Sequence, residues 1–468
     1  MAPICFIGND CRIISWLQIV FRHIKAAIRA SPSESIDAER RVSLARPHHS
    51  QLELGWTRGI RSRLVGGRNA MHESRLVVDC LVAACTSAMA IVVLRRFAVL
   101  WGLVDHPDQR KQHHGDVPLV GGLAIFIGMA AGAACYGQFQ GFEITLLGTA
   151  AVLVLLGALD DRFDLSVRDR LLIQTIVILA VIASSGVYIH TLGRIFGHEV
   201  TLGWVGVPVT VVAVIGLVNA FNMMDGIDGL AGSLALVSIA AIILFADPSP
   251  LHGVIALLVV LAAASLPYLV ANQGFMGGKI FLGDAGSMLI GYLLAWALIS
   301  MSQLPGTQLS PVNVLWCVAL PVFDTFAVMY RRMRQGRSPF KPDRGHIHHI
   351  LLGFGLTSRA TLALLILLAA GLALIGAFFS SAAHSAGTNL TTFCLTLGVY
   401  VITVTHAWLR QEARRHGAAD PQAVVNAGVI ASEAVAREAG LPVPEDELMF
   451  REDDHAEVYY SLRRSSRR

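Results

Sequence analysis

Between residues 76 and 409 the chain alternates long apolar runs with short polar connectors. The runs are about 17 to 25 residues long, the length that carries a helix across ~30 Å of hydrocarbon. Eleven are read, at roughly 76–97, 118–137, 143–159, 170–188, 204–222, 227–246, 252–271, 285–301, 311–330, 359–379 and 389–409. Lipid offers the backbone no hydrogen-bond partners, so each run must satisfy its own amides as a helix. The pattern predicts an all-α polytopic membrane protein with about eleven transmembrane helices.

The connectors fall into two kinds. "YRRMRQGRSPFKPDRGHIHH" holds Arg331, Arg332, Arg334, Arg337, Lys341 and Arg344. The connector after the first run holds Arg95, Arg96, Arg110 and Lys111, and the one after the third holds Arg162, Arg168 and Arg170. "YGQFQGFE", "FADPSPLHG", "SQLPGTQLSP" and "SSAAHSAGTN" contain no Lys or Arg. Basic loops stay in the cytoplasm. With eleven spans they all fall on that face, which puts the N-terminus in the periplasm and the C-terminus in the cytoplasm. A multi-pass membrane protein is expected.

Composition agrees: 54% of residues are hydrophobic and 15% charged, against roughly a quarter charged in soluble proteins. The net charge of +4 adds little, and no nucleic-acid partner is expected. Seven cysteines show no CxxC pair and no regular spacing, which excludes a zinc ribbon or a disulfide framework.

Three regions follow. Residues 1–71 form a polar extension in which "RASPSESIDAERRVSLARPHHSQ" is Arg-rich and unpatterned, so disorder or loose attachment is expected. Its "IISWLQIVF" is too short to span and lacks a signal cleavage site; it suits at most a basic helix lying on the membrane. Met71, just before the first full run, offers an alternative start of translation. Residues 72–410 form the membrane domain. Residues 411–468 form a charged cytoplasmic tail with an acidic block, "PEDELMFREDDHAE", and a basic end, "RRSSRR".

Polar residues collect at the cytoplasmic ends of the spans. "LGALDDRFDLS" carries Asp160 and Asp161, "NAFNMMDGIDGLAG" carries Asn219, Asn222, Asp225 and Asp228, and "FLGDAGS" carries Asp284 between two glycines. A lone Asp at a span end often marks only the interface. Adjacent carboxylates, however, raise each other's pKa unless a cation offsets the repulsion. In the Asn/Asp ladder neighbours share a helix face, although drift prevents all four from doing so. Gly226 and Gly229 predict a helix break there, and Asp284 is read at a helix start, where amides attract anions. "PDRGHIHHI" adds His346, His348 and His349 to the same face. The triplet invites a zinc site, but no Cys or further His is near to complete a tetrahedral shell. Carboxylates favour Mg²⁺ shared with phosphate oxygens, and arginines and protonated histidines favour phosphate. A Mg²⁺–pyrophosphate substrate at the membrane surface fits both halves.

"DDRFDLSVRDRLLIQ", "NAFNMMDGIDGLAG", "FLGDAGS" and "PDRGHIHHILL" resemble the signature blocks of the polyprenyl-phosphate N-acetylhexosamine-1-phosphate transferases, over roughly residues 72–410. The related phospho-MurNAc-pentapeptide transferases carry three adjacent histidines. Ile347 interrupts the run here, which favours the branch using GlcNAc and undecaprenyl phosphate. The resemblance implies that undecaprenyl phosphate attacks the sugar-linked phosphate of UDP-GlcNAc and releases UMP, with Mg²⁺, or Mn²⁺ in its place, as cofactor. It implies metal ligation by Asp284 with help from Asp161, and catalytic roles for Asp160, Asp161, Asp228, His348 and His349. Substrate contacts fall to Asn222, Asp225, Asp228, Phe281 beside the uracil, Arg344, His346, His348 and His349. The product would feed O-antigen or a related cell-surface polysaccharide, and a homodimer is left open. The loop "GFMGGKIFLGD" is more glycine-rich and less basic than that pattern, which puts its nucleotide contacts in question.

Two alternatives stay open. Another UDP-N-acetylhexosamine would serve the same chemistry. An ion-coupled transporter would also hold acids in a helical bundle, although these acids lie at one interface and no inverted repeat of broken helices is found.

Overall fold

The computed structural model describes residues 52–105, 115–137, 139, 141–245, 253–303, 309–338, 345–380, 385–418, 447–452 and 458–463. Its helices are α1 (Leu52–Trp101), α2 (Gly121–Tyr136), α3 (Phe142–Phe163), α4 (Val167–Ser185), α5 (Gly206–Met224), α6 (Leu230–Phe245), α7 (Val254–Asn272) and α8 (Gly283–Gln303), followed by α9 (Pro311–Leu315), α10 (Ala319–Arg334), α11 (Ile347–Gly353), α12 (Ser358–Ser380) and α13 (Ala386–Ala418). Each of the eleven expected spans coincides with helix. Eight of the described helical segments are long and apolar enough to cross a membrane, so the protein is a multi-pass membrane protein. The other three expected spans are helices of a different kind. α2 and α6 are shorter, and α4 opens on Arg168, Asp169 and Arg170.

The two ends carry further elements. α1 begins at Leu52, directly after the stretch quoted as unpatterned and within residues 1–71; that stretch, like all of residues 1–51, lies outside the described residues. The chain divides into a unit up to Thr405 and a second unit from His406. In the second unit the end of α13 is accompanied by an antiparallel ribbon, β5 (Glu447–Glu452) against β6 (Val458–Arg463), which the charge pattern of the tail did not announce.

α8 is the axis of the first unit. It packs against α2, α3, α5, α6 and α7, and 89% of its apolar window is buried, against 28% for α12. A lipid-facing helix needs apolar side chains, but a central one needs small ones, because packing replaces the hydrophobic effect as the glue. A methyl group on Gly122 of α2 would overlap the backbone at Ala285–Gly286, and one on Gly157 of α3 would overlap the backbone at Asp284–Ala285. Glycine on both neighbours therefore lets them close on the first turn of α8. Hydrogen bonds fix other helix pairs: Ser87 Oγ donates to the Ala264 carbonyl at 2.8 Å, and Tyr292 Oη to Thr149 Oγ1 at 2.7 Å.

Small antiparallel pairs join some helices, namely β1 (Val104–Asp105) with β2 (Val117–Pro118) and β3 (Thr191–Ile195) with β4 (His198–Thr201). From β2, the Pro118 carbonyl accepts the Phe281 amide at 2.9 Å. That bond ties the segment leading into α8 to the entry of α2.

Candidate active site

The first turn of α8 gathers three carboxylates from two helices. Asp160 and Asp161 sit in the last turn of α3, and Asp284 is in the first turn of α8. Gly283 holds φ +69°, a left-handed backbone that lets the chain turn into the helix. Asp161 caps that helix from outside: its Oδ1 accepts the Asp284 amide at 2.9 Å and its Oδ2 the Ala285 amide at 3.5 Å. Asp284 Oδ1 accepts Asn222 Nδ2 of α5 at 2.5 Å, and the same amide reaches Ser287 Oγ at 3.1 Å.

A cation offsets this charge. Arg170 Nη1 lies 2.5 Å from Asp160 Oδ2 and 3.6 Å from Asp284 Oδ2. The Leu165 amide donates to the other oxygen of Asp160 at 2.9 Å. Arg170 had counted in the sequence only as a loop charge that set orientation. Its place ten residues after Asp160, at the start of α4, makes it the counter-ion of the pair. Beside it, a cavity lined by Arg170, Gln174, Asn219, Asn222 and apolar residues of α4, α5 and α8 opens between these helices.

The Asn/Asp ladder splits where its helix ends. α5 ends at Met224 with Asp225 as its C-cap, and Gly229 takes φ +74° before α6, so the chain does break there. Asn219 turns back to the Ile215 carbonyl at 2.8 Å, Asn222 faces Asp284, and Asp228 pairs with Lys279 at 2.7 Å. Burial and the carboxylates of Asp161 and Asp228 push the pKa of Asp225 up to about 7. Lys279 also lies over the Phe281 ring, 4.9 Å from its centroid. The glycine-rich loop therefore delivers one lysine that joins Asp228 and Phe281. Arg95 anchors the loop by donating to the Met276 carbonyl at 2.6 Å.

The histidines form a second cluster. His346 precedes α11 in extended backbone, and its ring stacks on that of His348 at 5.9 Å with 8° between planes; His348 lies 4.2 Å from His349. A methyl group on Gly226 would overlap the His348 ring, so this histidine packs directly on the segment between Asp225 and Asp228. Phosphate-facing histidines are expected to be protonated, whereas the surroundings of His348 disfavour the charged ring. Burial first, then the neighbouring histidines, push its pKa down to about 3, and neither ring nitrogen has a hydrogen-bond partner. Arg344 lies outside the described residues. Of the adjoining basic residues, Arg331 and Arg332 turn inward, onto the carbonyls of Gly345 and Ser338.

Among the described residues no group of three or more His, Cys, Asp or Glu side chains converges to hold a metal ion on protein ligands alone. Mg²⁺ does not need such a cage, because it takes one or two carboxylates and completes its shell with substrate phosphate and water. Asp160 and Asp284, sharing one guanidinium, provide hard oxygen donors of that kind, and Asp161 retains lone pairs beyond its two amide bonds.

Comparison with known proteins supplies the context. The family model described as glycosyl transferase family 4 matches residues 144–302, the interval that holds Asp160, Asp161, the ladder and Asp284. The chain is 41% identical over 322 residues to an undecaprenyl-phosphate alpha-N-acetylglucosaminyl 1-phosphate transferase of Yersinia pestis, covering 68% of this chain and 88% of that protein. It is 41% identical over 332 residues to the protein of the same name from Haemophilus influenzae, covering 68% and 91%. It is 42% identical over 321 residues to that of Escherichia coli K12, covering 67% and 87%.

Proposed function

The chain belongs to the family of the undecaprenyl-phosphate alpha-N-acetylglucosaminyl 1-phosphate transferases, a family of membrane phosphotransferases, and on that premise we propose that it transfers GlcNAc-1-phosphate from UDP-GlcNAc to undecaprenyl phosphate. An oxygen of the lipid phosphate attacks the sugar-linked phosphorus, the bond to UMP breaks, and undecaprenyl-diphospho-GlcNAc remains. The C1–O bond of the sugar is untouched, so anomeric configuration is retained.

The observation that carries this reading is the sharing of Arg170 by Asp160 and Asp284, with Asp161 capping the helix that carries Asp284, beside a small cavity between helices. Both reactants are anions, so the catalyst must mainly align them and offset charge. Asp284, with Asp161 beside it, would hold Mg²⁺ or Mn²⁺, which when bound would neutralise pyrophosphate and leaving-group oxygens. Arg170 keeps the Asp160 carboxylate oriented toward the incoming lipid phosphate. Asn222 fixes the rotamer of Asp284. Asp225, Asp228 and Phe281, with Lys279, form the nucleotide side, and His346, His348 and His349 with Arg344 the sugar and phosphate side. The basic connectors support an active site on the cytoplasmic face of an inner membrane, eleven spans and a periplasmic N-terminus. The product would enter O-antigen or related surface-polysaccharide synthesis.

Radiolabelled UDP-GlcNAc incubated with undecaprenyl phosphate and Mg²⁺ tests the reaction. Label is expected in the lipid fraction, lost on chelation of the metal, absent with Asp284→Asn, and recovered as UDP-GlcNAc when UMP is added back. No lipid label from the wild-type protein sinks the proposal. UDP-GalNAc run in parallel decides the sugar.

A further inference from the structure

We infer that Asp324 is a positioning residue of the transfer site, which fixes the tautomer and ring plane of His346 while pinning the start of α11 to α10 and α13; the inference rests on the function proposed above. Asp324 lies within α10, in an apolar helix, and is 0% exposed. A carboxylate inside a membrane bundle is costly unless its oxygens are satisfied. Here three donors from two other parts of the chain meet it. His346 Nδ1–H donates to Oδ2 at 2.7 Å, while the Ile347 amide and Tyr400 Oη of α13 donate to Oδ1 at 3.0 and 3.1 Å.

The bonds from the Ile347 amide and Tyr400 hold the segment in place. The third does something further. An acceptor on Nδ1 places the imidazole proton there and leaves Nε2 as the nitrogen that meets a ligand. It also stops the ring from turning. The His348 ring lies parallel to that of His346 and has no hydrogen bond of its own, so the plane set by Asp324 is passed along the cluster. Among the described residues, Arg331 also reaches this junction and donates to the Gly345 carbonyl directly before His346.

Asp324→Asn separates positioning from simple latching. The amide oxygen still accepts from Ile347 and Tyr400, but the amide nitrogen now donates to Nδ1 and moves the imidazole proton to Nε2. His346→Asn is the complement: its amide takes the place of Nδ1, keeps the bond to Asp324, and offers nothing at Nε2. The full-length wild type, both single variants and the double variant are compared in lipid nanodiscs. Transfer kinetics, melting temperature, and the thermal shift given by UDP-GlcNAc with Mg²⁺ are read for each.

Asp324→Asn is expected to melt within a few degrees of wild type, with kcat down about 10- to 100-fold, as for lost orienting partners of histidines. The double variant is expected to be no slower than His346→Asn alone, since one residue acts through the other. The ligand-induced shift is expected to shrink in each single variant and no further in the double. Wild-type kcat in Asp324→Asn, or losses that multiply in the double variant, overturn the inference. If Asp324→Asn does not accumulate, a stable His346→Asn with wild-type kcat overturns it and a stable but inactive one supports it. The wild-type reaction alone judges the proposed function. The thermal shifts still report the Asp324–His346 coupling if no label moves.

Discussion

Asp161 caps the helix that carries Asp284, with its two carboxylate oxygens on the amides of Asp284 and Ala285 at 2.9 and 3.5 Å. The negative side chain lies on the positive end of α8, so one residue both builds the site and adds charge to it. Substitution separates the two contributions. An Asn oxygen keeps the 2.9 Å bond to the Asp284 amide and gives up only the longer 3.5 Å bond to Ala285, whereas Ala gives up both, at a cost of about 0.5–2 kcal/mol. Asp161→Asn is expected to melt close to wild type yet transfer about 10- to 100-fold more slowly, the usual effect of losing a supporting group at a metal site. Asp161→Ala is expected to lose both. Melting curves and the labelled-lipid assay on the same preparations check this, and a fast Asp161→Asn enzyme would restrict Asp161 to capping.

Arg170 balances Asp160, whose side chain is only 2% exposed, whereas its own is 28% exposed. Removing one partner of a buried pair costs about 3–5 kcal/mol, and solvent at the arginine lowers that figure. Arg170→Ala is expected to be less stable than wild type and inactive in lipid labelling. Arg170→Lys keeps the charge on a more compact group that is less able to serve Asp160 and Asp284 together. It is expected to fold and to work at an intermediate rate. Equal rates for Lys and wild type would show that charge alone matters.

Much of this arrangement is legible in the sequence because its causes are local. Apolar run length marks the helices, glycines mark the break after Met224 and the start at Gly283, and carboxylates stand out against apolar neighbours. The partners are not legible, because they come from distant chain. Asp324 looks like one more acid in the ninth apolar run until His346, 22 residues on, and Tyr400, 76 residues on, arrive at its oxygens. Its presence inside a span was nevertheless a usable signal, since ionisable residues there are seldom idle. Arg331 and Arg332 carry a further role that the sequence hides. They read as surface charge that sets orientation, but tertiary packing turns both onto backbone carbonyls.

His348 gives the fold a dependence on pH. Its pKa falls from 6.5 to about 3, mainly because burial disfavours the charged ring. The group is depressed in the folded state, so its contribution is fully present above pH 6.5. It is lost as pH falls toward 3, because the unfolded chain then takes up a proton that the folded chain refuses. Each such proton gives a slope of about 1.4 kcal/mol per pH unit. His348→Gln is expected to flatten the acid side of the stability profile between pH 6.5 and about 3, measured by thermal melting across pH in nanodiscs. An unchanged slope would mean that the ring is already charged in the fold.

Gly226 is the point where the histidine cluster touches the Asn/Asp ladder. It is not among the glycines with positive φ, so the backbone accepts alanine, and the nearest obstacle is the His348 ring. Overpacking of this kind costs about 1–3 kcal/mol. Gly226→Ala is expected to lower the melting temperature and to stop transfer by displacing His348. Adding His348→Ala to that variant removes the obstructing ring. Melting is then expected to return toward wild type while transfer stays lost, because stability needs only the space whereas the reaction needs the imidazole. Recovery of transfer in the double variant would show that the His348 ring contributes packing and no chemistry.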